Sequence, residues 1–241
     1  MIPAPAITLT GRHRLNGSVL FDADLHLPGG QWTCLLGKSG VGKSTILRLI
    51  LDLETGGQFD GMIAARDSKP LAGRIGYMAQ SDLLLPWLSV LENICIGARL
   101  RGEPPDVSRA QTLLDRVGLS GQTDQKPHAL SGGIRQRAAL ARTLMEDRPI
   151  VFLDEPFSAL DAGTRADMQE LAAEVLTGRT VLLVTHDPAE ATRLGDQIIV
   201  MSAKEAQVWP TPDTPPLREI NDPRTLDCQS RLLAYLRKTN L

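Results

Sequence analysis

The stretch "GKSGVGKST", residues 37–45, limits the fold more tightly than any other part of this chain. It sets Gly37, Gly42, Lys43 and Ser44 at the spacing G-x-x-x-x-G-K-S. The apolar run "WTCLLG" (32–37) before it reads as a strand, and "KSTILRLILDL" (43–53) after it has helical periodicity. Glycines let the backbone curl so that several N–H groups point inward at one anion. The helix that follows adds its positive end. Lys43 is expected to reach β- and γ-phosphate oxygens, and the Ser44 hydroxyl to reach a Mg²⁺ ion. Gly37, Lys38, Ser39, Gly40, Val41, Gly42, Lys43, Ser44 and Thr45 are therefore the expected cradle. Such a cradle specifies a nucleoside triphosphate, not a reaction.

The strand–helix alternation continues. Short β-branched or apolar runs lie at 7–10, 74–80, 150–155, 181–186 and 197–202, and helical patterns at 165–176 and 188–195. Several runs lack polar alternation, as strands buried on both faces do, which predicts an α/β fold with a largely parallel sheet. Residues 81–143 differ: they contain helical patterns and loops but no convincing strand. Ser89 with Glu92 three residues on is a capping-box spacing that predicts a helix over 89–100. "RGEPPD" (101–106) breaks it, and a second helix is expected over 108–119. The tail is proline-rich at 209–219 and amphipathic at 225–238.

Bulk composition excludes little but directs the reading. Over 241 residues the formal charge is −2, so no global basic excess argues for nucleic acid. Cys34, Cys95 and Cys228 show no metal-site spacing, and reduced thiols are expected. "MIPAPAITLT" lacks the basic segment and apolar core of a secretory signal. No apolar run approaches the ~20 residues a membrane-crossing helix needs.

Four further features carry chemistry. "IVFLDE" (150–155) ends an apolar strand in two acids: Asp154 suits a place beside Mg²⁺, and Glu155 can polarise a water. His186 ends the run "VLLVTH" and suits a γ-phosphate contact. Gln80 ends "RIGYMAQ", where its amide can touch both metal and water. "ALSGGIRQR" (129–137) opens a basic helix with a hydroxyl and two glycines, a second phosphate grip.

In this order the motifs resemble those of the ATP-binding subunit of an ATP-binding cassette (ABC) transporter: Walker A 37–45, Q-loop Gln80, signature "LSGGIRQR", Walker B "IVFLDE", D-loop "SALD" (158–161) and switch His186. The resemblance spans nearly the whole chain. It implies a P-loop NTPase ABC-type core with a mixed, largely parallel sheet, an N-terminal antiparallel β subdomain and an inserted helical subdomain. On that pattern 1–80 and 144–208 form the core, 81–143 the signature subdomain and 209–241 an extension.

It also implies that two copies pack head to tail around ATP and Mg²⁺. Ser131, Gly132, Gly133, Gln136 and Asp161 of one copy would meet the nucleotide held by the other. Catalysis would rest on Glu155, His186, Lys43 and Gln80, and the metal on Ser44, Gln80 and Asp154. The adenine-stacking aromatic of the family falls near His13 or Arg14, neither of them Phe, Tyr or Trp; either planar group could stack on a base. "LLPWLSVLENI" (84–94) resembles the importer branch for nitrate, sulfonate, taurine and thiamine-precursor pyrimidines. Leu83, Leu84, Leu85, Pro86 and Trp87 are then the expected docking patch for a membrane permease, with a periplasmic solute-binding protein as an indirect partner. The alternatives are a soluble cassette ATPase of DNA repair or translation, a small-molecule kinase and a non-hydrolysing switch. The intact signature, His186 and Glu155 argue against the last two.

Overall fold

The computed structural model describes residues 4–202 and 205–238. The outermost residues of the 1–80 and 209–241 segments, and 203–204, lie outside the described residues. The chain divides into two compact units. One comprises Met1–Ile75, Pro149–Asp154 and Gly178–Leu241; the other comprises Gly76–Arg148 and Glu155–Thr177.

The first unit contains two sheets. Strands β1 (Ile7–Leu15), β2 (Ser18–Leu27) and β4 (Gln58–Ala65) form an antiparallel sheet in the order β2-β1-β4. In β2, Phe21, Ala23, Leu25 and Leu27 are buried and alternate with exposed Asp22, Asp24 and His26. That is the period of a strand with one wet face. The β1–β2 turn is Asn16-Gly17, both with positive φ (51° and 79°), the pair that closes a two-residue hairpin. This dipeptide is the sequence signal for β2, which hydrophobic runs alone do not reveal.

In the second sheet β6 (Ile150–Asp154), β7 (Thr180–Val184), β3 (Trp32–Gly37) and β8 (Gln197–Met201) run parallel in that order. A short β9 (Ala206–Trp209) pairs antiparallel with β8. Every residue of β3, β6 and β7 is buried, which matches their lack of alternation. Helices α1 (Lys43–Ile50), α7 (Pro188–Leu194) and α8 (Pro223–Lys238) complete this unit. The proline-rich stretch is pinned by Arg218, only 4% exposed. Its guanidinium donates to the carbonyls of Thr192 and Gly195 at the end of α7, both at 2.8 Å, and to Thr214 O at 2.8 Å.

The chain passes into the second unit within β5 (Ile75–Met78). The expected helix over 89–100 is two short helices, α2 (Val90–Ile94) and α3 (Ile96–Leu100), joined at Cys95. The capping box is present, with Glu92 N–H donating to Ser89 Oγ at 3.2 Å and Ser89 N–H to Glu92 Oε2 at 2.9 Å. Helix α4 (Val107–Arg116) is capped by Asp106 and ends where Gly118 takes φ 68°. Leu119 N–H then closes on Leu114 O, the Schellman bond. Helices α5 (Gly132–Met145) and α6 (Ala162–Val175) follow.

Candidate nucleotide site

Within the first unit the site begins where β3 ends. A side chain at Gly37 would sit 2.5 Å from the Met201 carbonyl oxygen, so the loop can leave the sheet there only as glycine. Gly42 takes φ 106°, and a Cβ on it would lie 2.7 Å from the ring of buried Phe21. Between them Val41 N–H turns back on Lys38 O. Lys38, Ser39 and Gly40 are exposed, whereas Lys43 is buried. The Lys43 ammonium donates to Gly37 O at 2.7 Å and Lys38 O at 2.9 Å. It is thus held by neutral main-chain carbonyls, weaker partners for an ammonium than an anion is. Ser44 is exposed, and its hydroxyl donates to Asp154 Oδ2 at 3.2 Å. Thr45 sits beside it on α1.

Parallel register brings the other strand ends to the same sheet edge. Leu35 and Asp154 both stand opposite Val184, so β6 and β7 end level and β3 runs two residues further at the same edge, the position where ligands bind in such sheets. His186 lies two residues beyond the end of β7 and is exposed. Its neighbours are fixed. Buried Thr185 donates to buried Glu190 at 2.6 Å, and Asp187 caps α7 through the Ala189 N–H at 2.8 Å. Sequence reading passed over Glu190, because a carboxylate in an amphipathic helix gives no sign of burial.

A cavity of about 280 Å³ borders Lys38–Val41 on one side and Tyr235 and Leu236 of α8 on the other. His13 does not reach a surface. It is fully buried, stacks on Phe21 with ring centres 5.5 Å apart, and bonds Thr55 Oγ1 through Nε2 at 2.9 Å. Burial lowers its pKa. Of the two residues expected near adenine, only Arg14 is partly exposed.

The second unit carries further candidate residues of its own. Glu155 takes φ 50°, a left-handed conformation that costs a non-glycine residue roughly 1–2 kcal/mol. Its carbonyl accepts from Gln136 Nε2 at 2.9 Å and from Ser158 Oγ at 3.1 Å, and Gln136 Oε1 accepts from Ala159 N–H at 2.7 Å. At ~1 kcal/mol net per bond these three offset the strain. Gln80 Nε2 donates to Glu155 Oε2 at 3.2 Å. Gln136, expected among the nucleotide contacts, is buried, and both ends of its amide are bonded inside this unit. Ser131 caps α5 through the Ile134 N–H, and Ser131 and Gly132 are exposed while Gly133 is half-buried. Asp161 caps α6 through the Thr164 N–H, and that bond holds its carboxyl below the usual range.

The loop after Gln80 is held by main-chain bonds. Arg142 donates to the carbonyls of Leu83 (2.8 Å) and Asp82 (2.7 Å), and Arg135 pairs with the Asp82 carboxylate at 2.9 Å. Fully buried Asn93 donates to the carbonyls of Leu85, Leu88 and Ser89 and accepts from Leu85 N–H at 2.7 Å. Leu84 is buried, whereas Leu83 is 60% and Trp87 66% exposed. The bonded loop thus leaves a leucine and a tryptophan in water.

Among the described residues no group of three or more His, Cys, Asp or Glu could hold a metal ion. The Ser44–Asp154 pair supplies hard oxygen donors that fit Mg²⁺ arriving on nucleotide phosphates. Among the described residues no helix is long and apolar enough to cross a membrane.

The ABC transporter family profile matches residues 20–158. An uncharacterized ABC transporter ATP-binding protein of Haemophilus influenzae is 41% identical over 231 residues, 92% of this chain and 94% of the relative. The aliphatic sulfonates import ATP-binding protein SsuB 2 of Agrobacterium fabrum is 48% identical over 192 residues, 78% of this chain and 71% of its own. SsuB of Escherichia coli (strain K12), also named for aliphatic sulfonates import, is 37% identical over 229 residues, 94% of this chain and 88% of its own. The chain is similar to the dimeric ATP-binding cassette MJ0796 in a post-hydrolysis state bound to ADP and Pi. The TM-score is 0.75 at 28% identity, over 88% of this chain and 99% of that one.

Proposed function

This chain belongs to the ABC transporter family as an ATPase subunit of an importer, and from that premise we propose a head-to-tail pair that sandwiches two Mg·ATP and drives a membrane permease. Each phosphate loop holds one ATP, and the exposed Ser131–Gly133 turn of the other copy closes over it. The observation that carries the pairing is that turn. A 14-residue helix, capped by the Ser131 hydroxyl, opens on Gly132 and Gly133 at a surface, with its positive end exposed and one internal cap bond. Such an end attracts an anion.

Lys43 neutralises charge that builds on the β- and γ-phosphate oxygens, and His186 contacts the γ-phosphate. Glu155 orients and deprotonates the attacking water while Gln80 holds its carboxylate. Asp161 adjusts the water from across the pair. Ser44 and Asp154 hold Mg²⁺, which when bound screens the triphosphate charge. The base meets Arg14 rather than an aromatic ring. Leu83 and Trp87, on their bonded loop, dock the permease, which holds the subunit at the cytoplasmic face of the cell membrane. The solute is a small one of the nitrate, sulfonate, taurine or pyrimidine kind, and the sulfonate-named relatives favour the sulfonate class.

The pairing is tested by light scattering of a Glu155→Gln chain at micromolar concentration. Mg·ATP is expected to convert monomer to dimer. A monomer that holds ATP and never pairs overturns the reading.

A further inference from the structure

Gln136 is an amide with nowhere to put a nucleotide. Its side chain is buried, Nε2 donates to the Glu155 carbonyl at 2.9 Å and approaches Ser158 Oγ at 3.3 Å, and Oε1 accepts from Ala159 N–H at 2.7 Å. It therefore spans the 155–159 turn from first residue to last. That turn includes the one acid with both a left-handed backbone (φ 50°) and a place in the expected chemistry. The two ends of Glu155 are held by different amides: its main chain by Gln136, its carboxylate by Gln80 at 3.2 Å. Gln136 also stands on α5, five residues after the Ser131 cap, so one helix joins the exposed Ser131–Gly132 end to the backbone of Glu155.

We infer that Gln136 is a positioning residue that couples the two halves of the pair: when the partner's nucleotide draws in the end of α5, Gln136 sets the backbone of its own chain's Glu155. Each active base is thereby adjusted by the ATP that the other copy holds. A misplacement of about 1 Å in a reacting group costs on the order of 10²-fold, so a modest pull on this amide suffices to switch a base between idle and productive. The inference rests on the pairing proposed above.

The test compares the wild-type chain with Gln136→Met, which fills the volume and removes both polar ends. Phosphate release is followed against Mg·ATP concentration. The expected result is a kcat lower by about 10- to 100-fold, a KM changed by less than about 3-fold, and a Hill coefficient that falls from near 2 to near 1. In a Glu155→Gln background the same substitution should leave ATP-driven pairing intact. A kcat within about 2-fold of wild type overturns the inference and leaves the pairing standing. Loss of pairing together with loss of turnover overturns it too, since Gln136 would then belong to the gripping surface. Should Gln136→Met not fold, Ser158→Ala removes the second donor to the same carbonyl from an exposed position; a kcat lower by about 2- to 5-fold at unchanged KM supports the inference, and no change overturns it. A wild-type chain that hydrolyses without cooperativity and never pairs sinks the preceding proposal, and the coupling with it.

Discussion

The chain carries two turns proposed to grip phosphate, and they differ in how complete they are. The first, Gly37–Ser44, is closed on itself. It issues from a fully buried strand, Gly37 and Gly42 are forced by contacts at 2.5 and 2.7 Å, and Lys43 is already tied to the loop's carbonyls. The second, Ser131–Gly133, is open. It has one cap bond of 3.4 Å, and glycines whose added Cβ would meet nothing closer than 3.4 Å. Glycine in the first grip satisfies packing within the chain; in the second it leaves room for something to arrive. One turn is closed by contacts of its own chain and the other is open on one side.

The difference can be broken, beginning with the largest expected effect. Lys43→Ala should lower ATP turnover by ~10²–10³-fold or more in a phosphate-release assay, because the loop's buried ammonium is lost from the developing charge. Turnover near wild type would remove Lys43 from the cradle. Ser131→Arg should cut turnover about 10-fold or more while a single chain still binds labelled ATP as before. If ATP binding to the monomer falls as well, the second grip serves its own chain and the contrast fails. Arg142→Met removes two charge-assisted bonds to the Asp82 and Leu83 carbonyls and should destabilise the fold by about 1–3 kcal/mol in urea unfolding. An unchanged midpoint would mean that the loop holds itself.

The smallest effect concerns pH. Burial lowers the pKa of His13, so the folded state favours the neutral ring more than the unfolded chain does. Its contribution is fully present above the unfolded value and declines as pH falls below it, because the unfolded chain takes up a proton that the fold resists. Thermal unfolding between pH 7.5 and 5.5 should therefore show a shallower slope in His13→Phe than in wild type. Equal slopes would remove His13 as the cause.

Much of this was open to sequence reading, and the reason is local. The strand before Gly37, the fixed glycine spacing, the acids closing β6 and the Ser89–Glu92 box are each read within about ten residues, and each is present in the fold. Strands β2 and β4 escaped the hydrophobic-run reading because they alternate or are mostly polar, though Asn16-Gly17 marked the first hairpin. The buried hubs Asn93, Gln136, Glu190 and Arg218 were silent, since a polar residue in a helical or extended pattern looks the same in water and in a core.

The sequence by itself determined an α/β phosphate-binding chain, the order of its motifs and the family they mark. Only the tertiary structure decided which polar side chains are spent inside: His13 against Phe21, Gln136 on the Glu155 turn, Arg142 on the loop that leaves Trp87 in water. The physical reason is that a motif is set by covalent spacing. A buried hydrogen bond is set by which distant carbonyl the fold brings within about 3 Å of a donor that has given up its water.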